Sequence, residues 1–522
     1  MTDARHDFVI VVPVADRPQH LSDCLGSLLE LCRRYPYAGA VSVLIADDSR
    51  EPDNIARHQA IAEACRQQGL PCHHLGQDEQ RDLIRQLPEM ARRQLSGVVG
   101  SAEAAVFHHK GASISRNIAY LWLNRLPADG RKRLFWFLDS DQEFRVNVET
   151  AEGEAQPWAI DYLHGLDRIF SETPACLLTG KVVGDPPVSP AVMAGTFLDD
   201  VLAFLTEMAS RPASQACSFH GGGAGQADGA AYHDMAELFG FKPPADAYRY
   251  RCPIQGGHDH VACFSDFAGR LNRFFDGEHP TRRSYYRPDD LFASIKPART
   301  IYTGNYVFTP AGLRWFVPFA ALGLRMAGPT LGRIVQAELG AAFVSANLPM
   351  LHKRTVEQTG QSEFRPGIER AHDRVDLSGE FERQYFGDVM LFAMERLTGQ
   401  GYPGAVPARP AIAATVAAVE AELQAKYLAK RDQVAGKIAR LDALFGDPAR
   451  WWQHRPELTG ARAAFRCFID NMQANFAAAA PAWLRIGAAG HRQARREAIS
   501  EAIAGYPDDC VAWQRALKAA AQ

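Results

Sequence analysis

Three uninterrupted apolar runs constrain this chain more than any other feature. Phe8–Val14 reads FVIVVPV, Val41–Ala46 reads VSVLIA and Arg133–Leu138 reads RLFWFL. Runs of β-branched and aromatic residues without polar alternation form strands that are covered on both faces. The second run stops at Asp47-Asp48-Ser49 and the third at Asp139-Ser140-Asp141. Apolar stripes predict helices between them: from about His20 (Leu21, Cys24, Leu25, Leu28, Leu29), over Asn54–Gln68, and over Ser113–Leu126. Alternating strands and helices specify a mostly parallel, Rossmann-like sheet with covering helices. Ligands of such sheets gather at the carboxyl ends of the strands, where both acidic clusters fall.

The chain of 522 residues has room for more than one unit. From about 145 to 300 the pattern degrades, and the Gly/Ala-rich Cys217–Tyr232 reads as a mobile loop. Order returns with a strand over Thr300–Thr309, a helix near Leu331–Leu339 and a strand near Ala342–Ala346. Gly399–Pro410 (GQGYPGAVPARP) reads as a linker, and the chain beyond it is Ala-rich and helical. The expected organisation is therefore an α/β domain over 1–405 with a long insertion at about 145–300, then a helical domain over 406–522. Fifty-seven basic and sixty acidic side chains leave a net charge of -3, so no whole-chain field favours a polyanion and no nucleic-acid partner is expected. That total hides a split, because residues 411–522 hold 15 Lys+Arg against 11 Asp+Glu. Ten cysteines are scattered rather than clustered as in a small disulfide-stapled domain. The N-terminus shows no signal-peptide pattern, and the apolar stretch Trp315–Leu324 is about half a membrane span. The expected setting is cytoplasmic, with peripheral contact to a membrane left open.

Three motifs carry chemistry. Asp139 and Asp141, one residue apart at a strand end, are able to turn toward one hard cation such as Mg²⁺ or Mn²⁺. An acidic solvated loop is the plain alternative; a phosphatase-type D-x-D-x-[TV] is disfavoured because Gln142-Glu143 follows. Asp47 and Asp48 are placed to accept hydrogen bonds from a nucleoside, or else to cap a helix. In the stretch His108–Asn117, small residues let a helix begin close to a ligand, while Lys110 and Arg116 offer cationic donors for a diphosphate.

In this order and spacing the three resemble the GT-A-fold nucleotide-sugar glycosyltransferases, especially the family-two-like group. The resemblance covers about 8–145 and resumes loosely at about 300–355. It implies donor contacts from Pro13 and Val14 with the following turn Ala15–Pro18, from Asp47 and Asp48, from Lys110, Arg116 and Asn117, and from Ser140. It implies a metal held by Asp139, Asp141 and His352, the last placed after a short apolar strand and before Lys353-Arg354. Gly304 and Asn305 match an acceptor-side strand. The implied partners are a UDP- or GDP-sugar donor and a carbohydrate, lipid-linked or small-molecule acceptor.

The chain departs from inverting relatives in one respect. Where they carry a carboxylate base, Arg325–Arg333 (RMAGPTLGR) has none, leaving Glu338 as the nearest substitute. The expectation leans to a retaining transferase, like the synthases of glucosyl- or mannosyl-glycerate. An inverting enzyme of surface-polysaccharide or glycolipid synthesis and a non-catalytic nucleotide-sugar-binding or scaffold protein are the alternatives. Cys217, His220, Cys252, His258, His260 and Cys263 contain zinc-type ligands without a tidy second half, and His258–His260 is alternatively acceptor-side. The apolar stripe Val416, Val419, Leu423, Tyr427 and Leu428 fits a packed bundle, or a homo-oligomer through these helices. The basic run His491–Arg496 reads as a solvated face.

Overall fold

The computed structural model describes residues 5–150, 153–219, 228–229 and 248–520. Its principal elements are β1 (Asp7–Val14), α1 (Pro18–Arg34), β2 (Val41–Asp47), α2 (Pro52–Gln67), β3 (Cys72–Leu75), α3 (Ala112–Leu123) and β4 (Arg133–Leu138). They continue with β5 (Leu177–Gly184), α4 (Pro190–Ala209), α5 (His260–Leu271), β6 (Asn305–Phe308), α6 (Ala327–Leu339) and β7 (Phe343–His352). Helices α7 (Ser378–Gly399), α8 (Arg409–Gly446), α9 (Thr459–Phe476) and α10 (Ala489–Ala520) complete the chain.

The chain is α/β, with one large mixed sheet and two small two-stranded ones among the described residues. The strands of the large sheet run in the order β7-β5-β6-β4-β1-β2-β3, with the short Lys296–Pro297 strand outside β7. Strands β3, β2, β1 and β4 pair in parallel, as do β5 and β7, whereas β6 runs antiparallel to both neighbours. Alternation along the strands sorts their side chains onto two faces. Phe8, Ile10, Val12, Leu134, Trp136 and Leu138 pack with Leu21, Cys24, Leu25 and Leu28 of α1. Val9, Val11, Phe135 and Phe137 face the other way, toward Ile118 and Tyr120 of α3. Each such side chain, withdrawn fully from water, contributes on the order of 1.5–3 kcal/mol.

The region where the sequence pattern fades supplies an internal strand, β5, and the long helix α4. Both lack the polar-to-apolar rhythm that marks a surface element, because they are covered on most sides: Leu177, Leu178, Val182, Phe197, Leu198 and Val201 are all buried. Most of the expected loop Cys217–Tyr232 lies outside the described residues.

The C-terminal helices continue the core on the α3 face of the sheet. Val416, Val419, Leu423 and Tyr427 of α8 are buried within the chain, and Trp513 of α10 donates its indole N–H to the Leu313 carbonyl at 2.8 Å. Lys430 and Lys437 reach across to carbonyls of Val192 and Gly195 on α4. The basic run of α10 closes on internal glutamates: Arg492 makes a two-pronged contact with buried Glu420 at 2.7 and 2.8 Å, and Arg495 binds Glu382. No helix among the described residues is long and apolar enough to cross a membrane.

Candidate active site at the strand switch

Strands β2 and β3 lie to one side of β1, and the chain then crosses to place β4 on the other. That reversal leaves a crevice beyond the carboxyl ends of β1 and β4, the position where open α/β sheets bind ligands. A cavity of about 350 Å³ occupies it. Pro13 and Val14 from β1, Lys110 to Ser113 leading into α3, and Asp139, Ser140 and Asp141 after β4 form one side. Tyr302 and Thr303, Arg325 to Pro329, Arg354 and Phe364 to Pro366 contribute the other walls. Seven Lys or Arg residues line the cavity against four carboxylates. Such an excess of fixed positive charge favours an anionic ligand.

Asp141 is the centre of the network. It is buried, and its Oδ2 accepts from both Arg17 and Arg354 at 3.3 Å. Its Oδ1 has no hydrogen-bond partner and faces His352 Nε2, also unpartnered, at 3.6 Å. The other imidazole nitrogen, Nδ1, lies 2.7 Å from the Asp185 carbonyl, which can only accept. That contact fixes the proton on Nδ1 and turns the Nε2 lone pair toward Asp141. Two lone pairs facing each other across 3.6 Å require a positive charge between them, either a proton or a metal ion. Burial alone would favour the neutral acid, but His352, then Arg17 and Arg354, hold the Asp141 carboxyl well below the usual carboxylate range.

Asp139 stands apart. Its carboxylate pairs with Arg116, while its backbone N–H donates to the Gly304 carbonyl at 3.2 Å. A Cβ on Gly304 would lie 2.5 Å from Asp139 Oδ2, so only glycine lets this carboxylate rest against the chain before β6. Asp139 and Asp141 thus have different partners, the first Arg116 and the second Arg17, Arg354 and His352.

Asp48 carries the second clasp. Its two oxygens bind Lys110 Nζ at 2.6 Å and the Gly111 amide at 3.0 Å, where Gly111 turns through φ 98° to open α3. Burial pushes the Lys110 amine down, opposed by Asp48. Asp47 points elsewhere. Its oxygens accept from the Ser49 amide at 2.9 Å, His58 at 2.9 Å and His74 at 2.8 Å, and it does not line the cavity. Asn117 is turned into the core, bonding the carbonyls of Val98 and Val317. Asn305 likewise faces inward, accepting from the Trp136 indole at 2.9 Å. Glu338 sits near the far end of α6, bound to Arg314 and Trp315 and away from the cavity.

Several cavity residues escape the motif reading. Arg325, Arg365 and Arg383 surround buried Glu380, whose carboxyl is held down by those three cations in that order, Arg325, Arg383 and Arg365, against the cost of burial. His109 stacks on Phe364 with ring centres 4.0 Å apart, and its Nε2 meets Asp16 at 2.6 Å. Arg17 Nε donates to the Phe364 carbonyl at 2.7 Å, fastening the 361–366 segment over the site. The Arg17–Phe364 contact joins positions 347 residues apart, and no local spacing announces it. Comparison with protein-family models and with curated proteins returns no match.

Proposed function

We propose that the chain is a metal-dependent glycosyltransferase of GT-A type that moves a sugar from a UDP- or GDP-sugar to a carbohydrate, lipid-linked or small-molecule acceptor. The observation that carries this reading is the unpartnered pair Asp141 Oδ1 and His352 Nε2, in which Asp141 lines an arginine-rich crevice and His352 is buried beside it. When bound there, Mg²⁺ or Mn²⁺ would neutralise the charge that grows on the departing diphosphate. Lys110, Arg116 and the start of α3 supply donors for diphosphate oxygens, and Arg17 and Arg354 add fixed positive charge beside Asp141. Asp48 holds Lys110 and Gly111 in place from behind. The stacked His109–Phe364 pair offers a flat face beside the β1 turn for a base.

Retention is favoured over inversion by the company of the carboxylates. Asp48, Asp139, Asp141 and Glu380, the four that line the cavity, each carry a cationic partner, so none is poised as a general base. A donor phosphate oxygen is then the remaining acceptor for the proton of the attacking hydroxyl.

A thermal-shift series with UDP-, GDP-, dTDP- and CMP-sugars, each with and without Mn²⁺, tests the reading. One nucleotide should stabilise the protein only with the metal, by about 2.7 kcal/mol at a hundredfold excess over Kd. Product mass after incubation with that donor then separates transfer from silent binding. Absence of any metal-dependent stabilisation across the series would remove the proposal.

A further inference from the structure

Outside the crevice the structure brings together four soft ligands that the sequence scatters. Cys217, Cys252, His258 and Cys263 offer ligand atoms that all lie within 4.8 Å of one another. Cys252 Sγ is 3.1 Å from His258 Nε2 and 3.6 Å from Cys263 Sγ. A tetrahedral zinc ion with Zn–S near 2.3 Å and Zn–N near 2.0–2.1 Å sets sulfur–sulfur edges of about 3.8 Å and sulfur–nitrogen edges of about 3.6 Å. The observed spacings are within half an ångström of those edges. They are far longer than a disulfide, and all ten cysteines are free.

The backbone around the cluster is built to aim these atoms. The Cys217 amide donates to the His258 carbonyl at 2.8 Å, and Ala216 bridges Asp259, so the first ligand is locked to the third. His258 Nδ1 lies 2.9 Å from the Gly256 carbonyl, which commits its proton there and leaves Nε2 directed at the sulfurs. Asp259 caps α5 by accepting from the Ala262 amide, which sets Cys263 in the first turn of that helix. The Phe219 amide points at Cys217 Sγ at 3.4 Å, a contact that suits a thiolate. Packing behind the cluster is aromatic: Phe204 stacks on Phe267 at 3.7 Å and meets Tyr250 edge-on.

We propose that Cys217, Cys252, His258 and Cys263 form a structural Cys₃His zinc site. Four protein ligands close the coordination shell and leave no position for substrate, so the role is to hold chain together rather than to react. The ligands come from both sides of residues 220–247 in sequence, and one stands on α5. The metal therefore ties the segment before residue 219, the 252–258 turn and α5 into one unit beside α4. The site is independent of the donor crevice, and its chemistry is soft where that of Asp141 and His352 is hard.

Metal analysis of the untagged full chain, purified under reducing conditions, tests this. About one zinc per chain should remain after gel filtration. It should persist in D141N and H352A and in the control C467S, but fall to background in C252S and C263S. Because those variants risk unfolding, the native chain exchanged with Co²⁺ provides a second reading. A tetrahedral visible spectrum with thiolate-to-metal charge transfer supports the site, and an octahedral spectrum overturns it. Retention of no zinc by the native chain, or an intact mass two hydrogens short from a Cys252–Cys263 disulfide, also overturns it.

Discussion

Asp47 and Asp141 look alike in the sequence and differ in the structure. Each lies in an acidic cluster at a strand end, each is buried, and each has a histidine beside it. Around Asp47 both oxygens are engaged, by His58, His74 and the Ser49 amide. Around Asp141 one oxygen is engaged by two arginines and the other confronts an unpartnered imidazole nitrogen. A buried carboxylate with complete hydrogen bonding stabilises the fold around it, whereas an incomplete one stores an unmet demand for positive charge. What sets Asp141 apart from Asp47 is that it lines the cavity and its unpartnered oxygen faces an unpartnered nitrogen.

The comparison breaks most visibly at Asp141. D141N should lower transfer and donor hydrolysis by about 10²–10³-fold, because the charge stabilisation on the leaving group is lost. Its melting temperature should fall as well, because Arg17 and Arg354 lose their carboxylate partner, so transfer is measured well below that temperature on folded protein. Full activity of D141N in chelator-treated buffer would sink the metal assignment.

Asp47 should show the converse. D47A leaves His58 and His74 facing a cavity, a loss of about 3–5 kcal/mol if the pair is charged. Unfolding in urea should register it, while KM and kcat of the remaining folded enzyme stay close to native values. A selective loss of nucleotide affinity would instead place Asp47 in the donor site.

A third buried carboxylate, in the helical region, sharpens the contrast through pH. Burial pushes the Asp388 carboxyl up to about 7, against hydrogen bonds from Tyr427 and Gln384. Between its unfolded value near 4 and about 7, the unfolded chain releases a proton that the folded chain keeps. Native stability from this group therefore declines as pH rises through that window, by at most about 1.4 kcal/mol per pH unit, and is level above it. D388N does not titrate, so its melting temperature should gain on the native chain from pH 4 to 7 and hold its relation thereafter. Parallel pH profiles would show that Asp388 is ionised throughout.

The smallest effect belongs to Glu338. Glu338, in the last turn of α6, pairs with exposed Arg314 and accepts from the indole of buried Trp315, contacts that a glutamine oxygen keeps, so E338Q should change activity less than about twofold and stability by under about 1 kcal/mol. A hundredfold fall in transfer would return Glu338 to consideration as the base.

Much of this was legible in the chain. The runs at Phe8, Val41 and Arg133 became β1, β2 and β4, and the helices predicted from His20, Asn54 and Ser113 became α1, α2 and α3, with ends within a few residues. These elements announce themselves because their periodicity is set by the sheet they cover. Strand β5 and helix α4 did not, because burial on most sides erases the alternation that distinguishes strand from helix. Tyr302, Phe364, Arg365 and Arg383 were invisible as cavity walls, since their partners come from distant segments.

By itself the sequence determined an α/β sheet with acidic residues at the ends of its strands, since apolar runs and their breakers act over a few residues. That Asp48 and not Asp47 faces the crevice, that His352 meets Asp141, and that Cys217 joins Cys252, His258 and Cys263 were decided only by the tertiary structure. Those are meetings between segments tens to hundreds of residues apart, and chain packing alone fixes them.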